Sequence, residues 1–201
     1  KTKKKYAAKV YFHDTSDIKE QISLIREAEL LSKVTHPAII GFSGFSLVDN
    51  NRQHNPVILT EYQVNGSLQN VIDALDNNKV KSNISDEKQQ IYTDIRSKFN
   101  NTKRLIIILG IASSMQYIHH RDLIHRDLKP DSILIDENLY PHLGGFGLCT
   151  VYNPEEMKDD TAGTMIYMAP ELLGDGKSNF SNDVYSFAMI LYQLLGFGHP
   201  Y

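Results

Sequence analysis

The sequence contains no tryptophan and only one cysteine, Cys149, among its 201 residues. A single cysteine cannot form a disulfide within the chain, which excludes a disulfide-stapled secreted domain and fits a reducing compartment. The longest apolar runs, such as residues 105–111, are far too short to span a bilayer. The basic start at residues 1–5 lacks the following apolar run of a secretory signal. We therefore expect a cytoplasmic protein, with a nuclear location as the alternative suggested by this basic start.

An excess of positive charge is also missing. The formal net charge is -3, whereas dedicated nucleic-acid binders are usually basic. The hydrophobic fraction of 41% and the charged fraction of 22% are ordinary for a soluble globular protein. These values predict a globular domain with no nucleic-acid partner and no membrane span.

Hydrophobic patterning predicts a small sheet with one packed helix in the first part of the chain. The strands are expected over residues 6–12, 39–48 and 56–62, and the helix over residues 17–34. Ser16 or Asp17 can cap this helix at its start. His36 precedes a proline and is therefore pushed out of helical backbone geometry, which ends the helix.

The second part of the chain predicts mainly helices. They are expected over residues 68–75, from Thr102 as the N-cap through residue 120, and over residues 183–195. Short strands are expected over residues 132–135 and 141–144. Residues 76–101 are polar and asparagine-rich, so we expect a surface insertion with marginal structure there.

The hexapeptide His-Arg-Asp-Leu-Lys-Pro at residues 125–130 follows a predicted helix and precedes a short predicted strand. It resembles the catalytic loop of eukaryotic protein kinases, and its Leu-Lys-Pro part is similar to serine/threonine kinases rather than tyrosine kinases. The resemblance implies that Asp127 accepts the proton of a substrate hydroxyl. It also implies that Lys129 neutralises the charge that develops on the transferred phosphoryl group.

Other motifs occur in the order that the kinase family requires. Ala7-Ala8-Lys9 resembles the family's Val-Ala-Ile-Lys element, which implies that Lys9 contacts nucleotide phosphates and that Glu27 orients Lys9. Taken alone, Lys9 and Glu27 would equally fit two solvated surface charges. The end of the family's activation segment is resembled by residues 163–164 and 169–171. The start of the helix that anchors the catalytic loop is resembled by residues 183–187, and the turn after that helix by residues 198–201.

Residues 59–62 and 66–68 resemble the hinge that holds the adenine ring, although an ordinary buried strand and turn would fit this segment alone. The resemblance implies that the backbone of Glu61 to Gln63 binds the adenine and that Thr60 limits the depth of the pocket. It also implies that Ala7 and Leu134 sandwich the ring.

The resemblance implies an α+β, two-lobe protein kinase-like fold and covers the chain apart from residues 76–101. We expect a small β-sheet plus helix N-lobe over residues 1–64 and a mainly helical C-lobe over residues 65–201. The family's Gly-rich loop would precede residue 1 and further helices would follow residue 201. Both lobes are therefore expected to be truncated, and the chain to be a fragment of a longer protein.

Two positions depart from the family pattern. Ser132 stands where the family places an asparagine, five residues after Asp127, and Gly145 stands where the family's Asp-Phe-Gly motif has its aspartate. In the family, both side chains coordinate the magnesium that bridges the nucleotide phosphates. Glycine supplies no side-chain ligand, and serine supplies a neutral oxygen on a shorter stem. We expect neither Asp131 nor Asp136 to replace the missing ligands.

Three functions remain open. The first is a pseudokinase that acts in signalling through ATP binding or interaction with other signalling proteins, with magnesium not bound in the family's manner. The second is an active serine/threonine kinase that transfers the ATP γ-phosphate to protein hydroxyls with unusual metal handling, since Lys9, Glu27, Asp127 and Lys129 are all present. The third is an interaction scaffold that binds no nucleotide. The apolar stack that links the lobes in this family is matched by Phe146, His125, Leu31 and Phe42. Ordinary core packing would explain these residues equally well.

Overall fold

The structure is a computed structural model that describes residues 4–11, 18–49, 51–53, 55–76, 85–155, 162–174, 176–196 and 198. For residues 18–23 it describes the backbone only. The predicted caps Ser16 and Asp17 and the predicted turn at residues 199–201 lie outside the described part of the chain.

A three-stranded antiparallel sheet is formed by β1 (Tyr6–Val10), β2 (Phe42–Ser46) and β3 (Val57–Glu61), in the order β1-β3-β2. Helix α1 (Ile18–Lys33) buries Leu24, Ala28 and Leu31, whose spacing of four and three residues places them on one helical face. The predicted order of strand, helix, strand and strand is therefore confirmed. The strand β2 is shorter than predicted, and the predicted strand residue Ile39 forms an isolated bridge to Leu143 instead.

The rest of the described chain is mainly helical. It contains the helices α2 (Leu68–Leu75), α3 (Asp86–Lys98), α4 (Asn101–His119) and α5 (Phe180–Leu194). Two small antiparallel pairs join β4 (Leu123–Ile124) to β7 (Thr150–Val151) and β5 (Ile133–Ile135) to β6 (Pro141–Leu143). The pair β4–β7 was not predicted, because two-residue strands are too short to show alternation in the sequence.

Part of the stretch predicted to have marginal structure is an ordinary helix, so that prediction was wrong for α3. Ser85 caps α3, acidic residues lie in its first turn and basic residues in its last turn, as the helix dipole favours. Tyr92 and Ile95 are buried, with Ile95 fully inaccessible to solvent. These two residues belong to the apolar core, and the partly buried Ile91 of the same helix packs against it. Residues 77–84 of the same stretch lie outside the described part.

The predicted start of α4 was also wrong. Asn100, and not Thr102, is the N-cap, and its side-chain oxygen accepts a hydrogen bond from the backbone N–H of Lys103 at 3.0 Å. Asparagine is at least as good an N-cap as threonine and comes two residues earlier in the chain.

The small sheet and the helical remainder confirm the α+β class. Buried residues from both parts form one apolar cluster, with Leu31 and Ile58 from the first part and Ile111, Ile133 and Phe146 from the second. The division into segments 1–64 and 65–201 remains a prediction. None of the described helices is both long and apolar enough to cross a membrane.

Candidate active site

An ion pair joins Lys9 on β1 to Glu27 on α1. Lys9 Nζ lies 2.9 Å from Glu27 Oε2 and 3.1 Å from Oε1. The Glu27 side chain is 5% exposed, whereas the Lys9 side chain is 53% exposed. A carboxylate so deeply buried needs a partner, because desolvation of an unpaired charge is costly. The structure thus brings together the two residues that the sequence matched to the family's lysine and glutamate.

The loop at residues 125–129 is held by a buried carboxylate at the start of α5. Asp183 is 1% exposed and accepts hydrogen bonds from the backbone N–H groups of His125 at 2.8 Å and Arg126 at 2.9 Å. His119 Nε2 lies 2.9 Å from the same carboxylate. Arg126 has a φ of 69°, a left-handed conformation that costs free energy for a non-glycine residue. Asp183 therefore fixes a strained backbone.

Asp127, Lys129 and Thr164 form a closed triangle of polar contacts. Lys129 Nζ lies 2.8 Å from Asp127 Oδ2 and donates a hydrogen bond to Thr164 Oγ1 at 2.7 Å. The Thr164 hydroxyl donates in turn to Asp127 Oδ1 at 2.7 Å. A carboxylate and an ammonium group therefore converge on one hydroxyl. Proton acceptance from a hydroxyl and neutralisation of a nearby negative charge both need this combination of groups.

The two positions that depart from the kinase pattern face each other. Ser132 is 5% exposed, and its hydroxyl donates a hydrogen bond to the backbone carbonyl of Asp127 at 2.8 Å. Gly145 has a φ of 74°, in the left-handed region. A Cβ atom added to residue 145 would lie 2.9 Å from Ser132 Oγ.

These residues do not fit a magnesium ion. Magnesium prefers octahedral oxygen ligation with at least one carboxylate, but Gly145 offers no side-chain oxygen and the Ser132 hydroxyl is directed at a backbone carbonyl. Asp131 is exposed, and Asp136 lies in the β5–β6 turn, where its carboxylate accepts two backbone N–H bonds. Within the part of the chain that the structure describes, no three His, Cys, Asp or Glu side chains are grouped as metal ligands.

The residues matched to an adenine pocket lie on three strands. Ala7 on β1 pairs directly with Thr60 on β3, and both are partly buried. Leu134 lies on β5, partly buried, with its Cδ1 atom 3.7 Å from the position of a Cβ atom on Gly144. The sheet thus places Ala7 beside Thr60.

The segment matched to the hinge is partly used by the protein itself. The Glu61 N–H donates to the carbonyl of Gly41 at 2.9 Å, and the Glu61 carboxylate pairs with Lys4 at 2.7 Å. The Gln63 carbonyl accepts a hydrogen bond from the N–H of Gly66 at 3.2 Å. Adenine binding by residues 61–63 would therefore have to use backbone N–H and carbonyl groups other than these. Such binding remains a prediction.

Two of the residues matched to the apolar stack, His125 and Phe146, lie side by side. The His125 and Phe146 rings are 5.4 Å apart, and His125 Nε2 donates to the carbonyl of Gly144 at 2.8 Å. Phe146 and Leu31 are both almost fully buried in the main apolar cluster. These contacts connect α1 to the loop that carries Gly145.

Sequence reasoning missed two residues at this site. The Tyr11 hydroxyl donates to Glu27 Oε2 at 2.7 Å. Tyr11 comes two residues after Lys9, and this period of two could have placed both side chains on one face of the strand. The Thr164 hydroxyl contacts Asp127 across 37 residues of sequence, and no local spacing predicts such a contact.

Comparisons with known proteins agree with this geometry. The family model for the protein kinase domain matches residues 1–201. The leucine-rich repeat receptor-like protein kinase PEPR1 of Arabidopsis thaliana is 31% identical over 90% of the chain and 14% of its own length. Two probable serine/threonine-protein kinases of Dictyostelium discoideum, gdt4 and drkD, are each 32% identical over 97% of the chain, and over 11% and 13% of their own lengths.

The chain thus spans only a small part of the length of these relatives. The family model nevertheless matches it from end to end, over residues 1–201. The chain belongs to the protein kinase domain family.

Proposed function

We propose that this kinase domain is impaired in magnesium-dependent phosphotransfer and acts in signalling by binding ATP or other signalling proteins. The observation that carries the proposal is the apposition of Ser132 and Gly145. The two positions meet within 2.9 Å, measured from Ser132 Oγ to the Cβ position of residue 145, and neither offers a carboxylate. A cytoplasmic location, or a nuclear one as the alternative, and the absence of a nucleic-acid partner belong to the same proposal.

The expected impairment is large. A metal ion supplies several kcal/mol of charge stabilisation during phosphoryl transfer, so its loss corresponds to roughly a thousandfold or more in rate. The remaining residues do not replace this charge, because the ammonium groups of Lys9 and Lys129 each pair with a carboxylate of the protein.

Nucleotide binding without magnesium is part of the proposal. The Lys9 side chain is about half exposed, so its ammonium group can approach an anion while Glu27 remains buried behind it. In the family, an aspartate would stand at residue 145, and its negative charge would repel nucleotide phosphates that carry no metal. Glycine removes this repulsion together with the metal ligand. ATP would therefore bind without the divalent cation that the family uses.

A second candidate function is an active serine/threonine kinase. The triangle of Asp127, Lys129 and Thr164 favours it, because the groups that would accept the hydroxyl proton and neutralise the phosphoryl charge are already in contact. In that case phosphotransfer would depend on Asp127 despite the changes at residues 132 and 145.

Phosphate incorporation by the full-length protein tests the proposal against this candidate. We expect the wild type, with magnesium, labelled ATP and a generic protein substrate, to incorporate no more phosphate than Asp127→Asn. Robust transfer that Asp127→Asn and Lys9→Ala both abolish would reject impairment and support the active kinase. A thermal-shift titration with ATP tests the third alternative, a scaffold that binds no nucleotide. Saturable stabilisation by ATP would exclude that alternative, because it requires a nucleotide site.

A further inference from the structure

Tyr11 reaches the buried carboxylate of Glu27 from the same stretch of chain as Lys9. Its backbone N–H donates to the carbonyl of Pro56 at 3.0 Å, which fixes Tyr11 beside the start of β3. Because Tyr11 follows Lys9 by two residues in extended chain, both side chains point to the same face. Both side chains reach Glu27, which is carried by α1.

The carboxylate of Glu27 has room for both partners. Tyr11 donates to Oε2 at 2.7 Å, while Lys9 Nζ lies 2.9 Å from Oε2 and 3.1 Å from Oε1. An ionised carboxylate offers about four acceptor sites, so the two donors need not compete. Lys9 Nζ also lies 4.8 Å from the centroid of the Tyr11 ring, within the range of a cation–π contact.

We propose that Tyr11 is a positioning residue that anchors Glu27, and with it helix α1, to the sheet independently of Lys9. The two donors differ in charge and in exposure. The half-exposed ammonium group of Lys9 can be drawn towards an anion in the cleft. The neutral phenol of Tyr11 has no net charge to attract it to that anion and remains on Glu27. Helix α1 therefore stays in place whether Lys9 pairs with Glu27 or with an anion.

The phenol is suited to this role at neutral pH. Burial, followed by the neighbouring Glu27 carboxylate, raises the pKa of Tyr11 above its ordinary value of about 10. The hydroxyl therefore keeps its proton and remains a donor. The ring of Tyr11 also packs against the apolar cluster, so the alternative is that Tyr11 contributes packing only.

Amide hydrogen exchange of the full-length protein separates these roles, since Tyr11→Phe removes the hydroxyl and keeps the ring. We expect Tyr11→Phe to accelerate exchange in residues 24–33 of α1 by about tenfold, the loss expected for one hydrogen bond to a charged group. We expect at least the same acceleration when Lys9→Met is already present, because the buried carboxylate of Glu27 then loses both of these donors. In a Glu27→Met background the hydroxyl has no carboxylate to hold, so Tyr11→Phe should have no further effect. None of these readouts requires nucleotide, so the result is independent of whether ATP binds.

Tyr6→Phe is the matched control, because Tyr6 lies on β1, five residues before Tyr11, and is 51% exposed. The amides of α5 report global stability. Anchoring by Tyr11 is contradicted if Tyr11→Phe leaves α1 exchange unchanged, if it accelerates α5 as much as α1, or if its effect persists in Glu27→Met. It is also contradicted if Lys9→Met alone exposes α1 as much as the double variant does.

Discussion

The hydroxyl oxygen of Ser132 lies 2.9 Å from the position that a Cβ atom of residue 145 would occupy. The Cβ atom of Ser132 lies 3.1 Å from the same point. The two departures from the kinase pattern are therefore in contact, and a side chain at residue 145 requires Ser132 to shift. The left-handed backbone of Gly145 is less of an obstacle, because aspartate and asparagine adopt this region more readily than most residues.

The double variant Gly145→Asp/Ser132→Asn is expected to gain magnesium-dependent phosphotransfer of at least about tenfold, because it supplies a carboxylate and an amide oxygen as ligands. Gly145→Asp alone should gain less, because it supplies only the carboxylate ligand. Both variants should lose about 1 kcal/mol of folding stability, since a Cβ atom at residue 145 lies 3.1 Å from the Cβ atom of residue 132, which asparagine keeps. Initial rates of phosphate incorporation with and without magnesium measure the gain.

Gly145→Asn/Ser132→Asn is the matched control, because it has nearly the same shape without the negative charge, and it should show no gain. If the double variant with aspartate folds normally and still shows no magnesium-dependent transfer, loss of ligands at these two positions does not explain the impairment.

Ser132→Ala is expected to lower the free energy of unfolding by about 1 kcal/mol, because it removes the partly buried hydrogen bond to the carbonyl of Asp127. Ser97→Ala removes a hydroxyl–carbonyl bond of similar length, 2.7 Å, at an exposed site and should change stability by less than about 0.5 kcal/mol. Urea denaturation measures both. Equal effects of the two substitutions would show that the Ser132 hydroxyl has no special structural role.

Asp183→Asn should lower the free energy of unfolding by about 2–3 kcal/mol, because one oxygen that accepts a hydrogen bond becomes an NH₂ group facing a donor. The surrounding loop should also lose order, since Arg126 no longer has its left-handed backbone fixed. Asp131→Asn is the exposed control and should be close to neutral. A neutral Asp183→Asn variant in urea denaturation would mean that the loop is held by other contacts.

Cys149 should resist alkylation in the folded protein. Burial, with a smaller contribution from the Asp183 charge, raises the pKa of its thiol to about 12. Since the thiolate is the reactive form, modification should be slow at neutral pH and should keep accelerating as the pH rises through the ordinary thiol value of about 8.5. Peptide mapping after iodoacetamide treatment measures the rate at Cys149. A rate that levels off near the ordinary value, as in the urea-unfolded protein, would refute the buried-thiol assignment.

The fold could be predicted where the pattern is local. The eight residues of α2 show clear amphipathic spacing, and their bounds match the prediction. Helix α3 was underestimated because it is mostly polar and packs against the core through few apolar residues, Tyr92, Ile95 and the partly buried Ile91. The start of α4 was misplaced because Asn100 and Thr102 can both act as caps, and the sequence alone does not decide between them.

The candidate site shows the same limit. Motif order identified Lys9, Glu27 and Asp127. Lys9 and Asp127 lie in short recognisable segments, whereas Glu27 was matched by its place on the helix that follows Lys9. The Thr164–Asp127 contact crosses 37 residues and depends on tertiary packing that no spacing encodes. The Tyr11–Glu27 contact crosses 16 residues, and the spacing of Lys9 and Tyr11 indicates only that their side chains share a face. The direction of the Ser132 hydroxyl also had to come from the structure.

Calorimetric titration of the full-length protein with ATP, in EDTA and in excess magnesium, tests the central claim most directly. We expect saturable binding in EDTA that is as tight as, or tighter than, binding in magnesium, because residue 145 offers the metal no carboxylate. Lys9→Met should weaken this binding, since it removes the ammonium group proposed to contact the phosphates. Binding that occurs only with magnesium, or that magnesium tightens by more than about tenfold, would contradict the account.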